Sequence, residues 1–109
     1  PWMIFEAAKQ LKVYPPSTWV KVDDTLVGIQ EGKNAGTWTI GVTKTGNLVG
    51  LSENELKTIS REELKERISN AEKLFLQDGA DFVIDSVADI AQVLAEIEHR
   101  IKMGIKPKS

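Results

Sequence analysis

Two adjacent carboxylates, Asp23 and Asp24, stand in the stretch VKVDDTLVGIQEGKNAG (Val20 to Gly36), where an apolar, strand-like run meets a helix. Neighbouring acids repel, and the repulsion raises one pKa unless a cation offsets it. A hard ion such as Mg2+ suits that end: it takes one or two carboxylates, keeps several waters and shares phosphate oxygens with a substrate. The plainer reading needs no metal, with Asp24 capping the helix and Asp23 merely solvated. For Asp24 the two readings are compatible.

Other candidate chemistry is sparse. His99 is the only histidine and falls on a late, charged helix, where it reads as a solvated surface group. Asp85 and Ser86 read as a strand end followed by a helix cap. Lys44 is a lone loop lysine that could meet a phosphate but reads as solvated. No Ser-His-Asp set, glycine-rich nucleotide loop or Cys/His zinc pattern is present.

The elements that must position these groups alternate. Pro1 suits a first helical turn, and Ile4, Ala7, Ala8 and Leu11 mark one apolar face before Tyr14-Pro15-Pro16 stops the helix. Trp19 to Val22 reads as a buried strand ending at Asp23-Asp24. A helix then turns Leu26 and Ile29 inward, with Gly36 as a left-handed cap. Trp38 to Val42 is a second strand, and Thr43 to Gly50 is a loop. Ser52-x-x-Glu55 and Ser60-x-x-Glu63 have capping-box spacing, predicting a short helix and then a longer one with Leu64, Ile68, Ala71 and Phe75 inward, ended by Gly79. Phe82 to Ile84 is a third strand. Ser86 caps a last helix with Ile90, Val93, Leu94, Ile97 and Ile101 on one face. Strands alternating with helices imply right-handed crossovers and a parallel sheet. Ligands of such sheets bind beyond the carboxyl ends of the strands, where Asp23, Asp24, Thr25, Thr43 to Asn47 and Asp85 gather.

Composition excludes several function classes. The chain has 109 residues, 41% hydrophobic and 28% charged, a net charge of −2 and no cysteine. Disulfides and thiolate metal sites are ruled out, and a reducing, cytoplasmic setting is expected. No basic footprint for nucleic acid is present. The apolar runs are strand-length, so no membrane segment is expected.

Four stretches together, PWMIFEAAKQLKVYPP, VKVDDTLVGIQEGKNAGTWTIGV, TKTGNLVGL and GADFVIDSVADI, resemble the C-terminal part of phosphonoacetaldehyde hydrolase (phosphonatase), of the haloacid dehalogenase-like superfamily. The resemblance implies an α/β fold: the C-terminal part of a Rossmannoid core, three parallel strands with flanking helices, spanning 1–103. The basic residues and the breaks at Gly104 and Pro107 predict a frayed tail over 104–109. The segment from Lys21 to Gly32 matches the superfamily's fourth motif, which supplies acid ligands to Mg2+. Its usual form is similar to KVGDT, followed a few residues on by a second aspartate. Asp24 and Thr25 match in place. Asp23 replaces the glycine, and Gly28 stands where the second aspartate would be, so the acid count is kept by relocation. Asp24 is thereby implied as a metal ligand, and Asp23 as a second ligand or outer-shell acid.

The activity implied is hydrolysis of the carbon–phosphorus bond of phosphonoacetaldehyde, through a lysine Schiff base and an aspartate nucleophile with Mg2+. The family places those covalent groups upstream of Pro1, so no catalytic residue is expected in this chain and the chain alone should be inactive. The absent initiator methionine and the start within a motif fit truncation. Two alternatives stand beside this: a phosphatase of the same superfamily acting on another small phosphate ester, and a non-catalytic assembly module. The family is similar in forming homodimers, which makes Trp2, Phe5 and Tyr14 candidates for a contact surface; the alternative is that they pack on the Trp19 strand. In the superfamily sheet the strand carrying the nucleophile lies beside Trp19 to Asp23, so that strand should have one open edge here.

Overall fold

In the computed structural model of the chain, residues 2–12, 15–43 and 52–108 are described. The elements run α1 (Trp2–Leu11), a 3-10 turn (Pro16–Thr18), β1 (Val20–Asp23), α2 (Leu26–Ala35), β2 (Trp38–Val42), α3 (Glu53–Thr58), α4 (Arg61–Gln77), β3 (Phe82–Ile84), a second 3-10 turn (Val87–Asp89) and α5 (Ile90–Lys102). The strands form a parallel sheet in the order β1-β2-β3. Val20 pairs with Trp38 and Asp23 with Gly41, while Ile40 pairs with Phe82 and Val42 with Ile84. The α/β architecture expected from the alternating elements is the one observed.

β2 is buried at all five positions, because helices cover both faces of the sheet. Its period of two divides the core. Trp38, Ile40 and Val42 join Ile84 and Ile97 on the α5 side, with Val20, Val22, Phe82, Ile90, Val93 and Ile101 packed around them. Ile29, Phe75 and Ala80 form the other layer, with Leu26 and Val83. There the Phe75 ring lies on Gly41, where an added Cβ would come within 2.6 Å of the ring. The Arg100 guanidinium of α5 lies over the Phe82 ring of β3, 4.6 Å from its centroid.

Local signals account for most element ends. Gly36 sits at φ 81° and donates to the Gly32 and Lys33 carbonyls, a conformation that glycine adopts without a Cβ clash. Ser52 forms the reciprocal capping box with Glu55, and the Ser60 hydroxyl accepts from the Glu63 amide. Three local expectations shift. Thr25, not Asp24, is the N-cap of α2, accepting from the Gly28 amide. Ser86 caps the 3-10 turn ahead of α5 rather than the helix itself. Leu11 is 67% exposed despite its helical spacing, since α1 turns Ile4 and Ala7 inward near its start and leaves its far end in solvent.

Trp2 is 83% exposed and Phe5 38%, their rings meeting edge to face with centroids 6.3 Å apart. Met3, Ile4 and Ala7, not those aromatics, face Trp19 and Val20 across a cavity of about 270 Å3. Tyr14 lies outside the described residues. Beyond Lys102, where fraying is expected, the Lys108 amide donates to Asp81 Oδ1 at 2.8 Å. Asp81 is 8% exposed, and its other oxygen accepts from the Thr39 amide and hydroxyl. No helix among the described residues is long and apolar enough to cross a membrane.

Candidate metal centre

β1 delivers both acids to the carboxyl end of the sheet. Asp23 is the last residue of the strand, level with Gly41 of β2, and Asp24 begins the turn into α2. One strand over, Val42 pairs with Ile84, so Thr43 and Asp85 emerge at the same end. Thr43 Oγ1 donates to Asp85 Oδ1 at 3.2 Å, joining the ends of β2 and β3. Val22, Asp23, Asp24, Val42 and Val87 line a cleft of about 240 Å3 there. Four of the predicted neighbours, Asp23, Asp24, Thr43 and Asp85, are therefore at one end of the sheet. Lys44 and the remainder of the Thr43 to Gly50 loop lie outside the described residues. His99 is exposed on α5, as its charged surroundings imply.

The two acids differ sharply. Asp23 Oδ1 accepts from the Thr25 amide at 2.8 Å and from the Thr25 hydroxyl at 2.7 Å. Its Oδ2 accepts from Lys21 Nζ at 3.1 Å. Lys21 and Asp23 are two apart on a strand, so their side chains leave the same face. Burial pushes the Asp23 carboxyl up, but the Thr25 hydrogen bonds and the Lys21 charge together outweigh it and hold the group below its ordinary value. Asp24 is half-buried, and among the described residues no hydrogen bond or ion pair engages its carboxylate.

Gly28 makes the Asp23 position possible. A Cβ at residue 28 would overlap the Asp23 carboxylate carbon and both its oxygens. The acid at 23 thus occupies the space in which a side chain at 28 would begin, so the two exclude each other in this arrangement.

A cation fits this end on the chemistry of its donors. Asp24 presents an unengaged carboxylate to an open cleft, and Asp23 stands beside it. Among the described residues no group of three or more His, Cys, Asp or Glu side chains converges on one point. That donor set matches an ion that uses one or two carboxylates and fills its other positions with water or substrate oxygens. Lys21 is the contributor that motif reading passed over; its period-two spacing from Asp23 is the signal that could have found it.

No protein-family model matches the chain. It is 44% identical over 107 residues to a phosphonoacetaldehyde hydrolase-like protein of Syntrophobacter fumaroxidans, covering 98% of this chain and 39% of that protein. It is 42% identical over 107 residues to the phosphonoacetaldehyde hydrolase of Paraburkholderia phytofirmans, covering 98% and 40%. The chain superposes with a TM-score of 0.89 and 41% identity on the crystal structure of a phosphonoacetaldehyde hydrolase-like protein from Oleispira antarctica, covering 96% of this chain and 38% of that one. The chain therefore spans about two fifths of the length of the curated relatives it matches here. The similarity read from the four motifs holds across nearly the whole chain.

Proposed function

We propose that this chain is the C-terminal core portion of a phosphonoacetaldehyde hydrolase-like enzyme of the haloacid dehalogenase-like superfamily. The parent would cleave the carbon–phosphorus bond of phosphonoacetaldehyde to give acetaldehyde and phosphate. The observation that carries this reading is identity above 40% over 98% of the chain to proteins of that name. The unengaged Asp24 at the carboxyl end of the sheet supports it.

The contribution of this segment is electrostatic. Mg2+, when bound, supplies positive charge that offsets the phosphoryl oxygens. Asp24 would hold the ion directly, with Asp23 as the second acid of the site. β2 and β3, joined by the Thr43–Asp85 hydrogen bond, brace the neighbouring wall. The aspartate nucleophile and Schiff-base lysine belong, in this reading, to the remainder of the parent. The parent is a cytoplasmic homodimer with a small-molecule phosphonate substrate and no nucleic-acid or membrane partner.

The full-length protein, incubated with phosphonoacetaldehyde and a coupled assay for acetaldehyde, tests this directly. Mg2+-dependent acetaldehyde release is expected, with residues 1–109 alone at background. Asp24→Asn should lower activity by roughly a hundredfold, since a lost metal ligand forfeits several kcal/mol of charge stabilisation. Asp85→Asn should cost far less. Equal losses at both positions would mean the metal lies elsewhere, and phosphate release from phosphate esters without acetaldehyde would favour a phosphatase.

A further inference from the structure

We propose that Asp23 is a positioning residue and not a metal ligand: it aims Asp24 by clamping Thr25. The inference rests on the reading of Asp24 as the direct Mg2+ ligand and assigns a distinct role to its neighbour.

Every strong interaction of the Asp23 carboxylate is spent inside the chain. Oδ1 takes two donors from one residue, the Thr25 amide and hydroxyl. Oδ2 takes the Lys21 ammonium, which offsets the negative charge a cation would otherwise meet. The carboxylate is lodged against Gly28, in the first turn of α2, with no room for a side chain there. Thr25 is in turn tied forward, because its hydroxyl accepts from the Gly28 amide at 3.0 Å while donating to Asp23. Asp24 sits between these two fixed residues. Its backbone is pinned on both sides, and its side chain alone is left uncommitted.

The consequence is a division of labour between adjacent acids. Thr25 fills both lone pairs of Oδ1, and the one lone pair left on Oδ2 lies beside the Lys21 ammonium, whose charge opposes a cation there. Asp23 is therefore a poor ligand unless it gives up Thr25 or Lys21 and loosens the turn that presents Asp24. Carboxylates that orient a metal ligand through hydrogen bonds, without touching the ion, are a general feature of metal sites.

Calorimetric titration of the full-length protein with MgCl2 separates the roles when Asp24→Asn, Asp23→Asn and Asp23→Ala are compared. Selective 15N-threonine labelling reports the Thr25 amide in each. Asp24→Asn should weaken Mg2+ binding by at least tenfold. Asp23→Asn keeps an oxygen acceptor for Thr25, while Lys21 turns to solvent, so affinity should stay within about threefold of wild type. Asp23→Ala removes the clamp. Affinity should fall about tenfold, the usual effect of losing an outer-shell partner, and the Thr25 amide resonance should move. The clamp is refuted if Asp23→Asn loses as much affinity as Asp24→Asn, or if Asp23→Ala leaves both affinity and the Thr25 resonance unchanged. Wild-type affinity in Asp24→Asn would instead overturn the metal-site reading, and the clamp's purpose with it.

Discussion

Gly28→Ala is the substitution whose effect the structure determines most directly. Gly28 lies in the first turn of α2 and is buried, and an alanine methyl there would occupy the Asp23 carboxylate's space. Replacing glycine by alanine within a helix ordinarily stabilises by about 1 kcal/mol. Here the carboxylate must swing away, losing its two Thr25 hydrogen bonds. Each contributes about 1 kcal/mol, below the range for fully buried charged acceptors because this side chain retains some contact with water. The Lys21 pair adds about 0.5 kcal/mol at most. The losses exceed the helix gain, so Gly28→Ala should destabilise by about 1 kcal/mol. The sign reverses when the obstacle is removed: in an Asp23→Ala background, the same change should stabilise by up to about 1 kcal/mol. Urea unfolding of the four variants gives the coupling, expected near 2 kcal/mol, where distant sites would add within a few tenths. Simple additivity, or stabilisation by Gly28→Ala in the wild-type background, would show that the Asp23 carboxylate does not rest on Gly28.

Three further outcomes are expected. The Asp23 carboxyl is held below its ordinary value of 3.8, so its stabilising contribution is present above that pH and is lost as pH falls through the lower folded-state value. Unfolding midpoints between pH 5 and pH 2 should therefore drop more steeply for wild type than for Asp23→Asn, and parallel curves would count against it. Trp19 accepts from the Trp38 amide, and in a parallel ladder residues 19, 21 and 23 then face β2, leaving the Val20 and Val22 amides on the free edge of β1. In monomeric 1–109 these two should exchange early by hydrogen exchange and gain protection on association, because open edges recruit other chains; protection equal to that of Ile40 and Val42 would contradict an open edge. A Trp2→Ala, Phe5→Ala double variant of the full-length protein should sediment as a monomer, aromatic anchors being common at interface centres; a retained dimer mass would remove α1 from the interface.

Much of the architecture was legible along the chain because its causes are local. The short run Trp38 to Val42 read as a strand, and the 3.6 periodicity marked the Leu64–Ile68–Ala71–Phe75 stripe. Ser52, Ser60 and Gly36 announced helix ends through hydrogen bonds and backbone angles confined to a few neighbouring residues. The alternation of elements then placed both aspartates at the carboxyl end of a parallel sheet. Tertiary structure decided what local pattern cannot encode. Whether Asp23 or Asp24 stays unengaged depends on rotamers set by Lys21, Thr25 and the bare Cα of Gly28 acting together. Leu11 has correct helical spacing yet lies in solvent, since burial requires a partner surface that α1 meets only near its start. Asp81, an ordinary acid before a strand in the sequence, becomes a buried link between Thr39 and Lys108 because the sheet brings together residues 42 and 27 positions away in the chain.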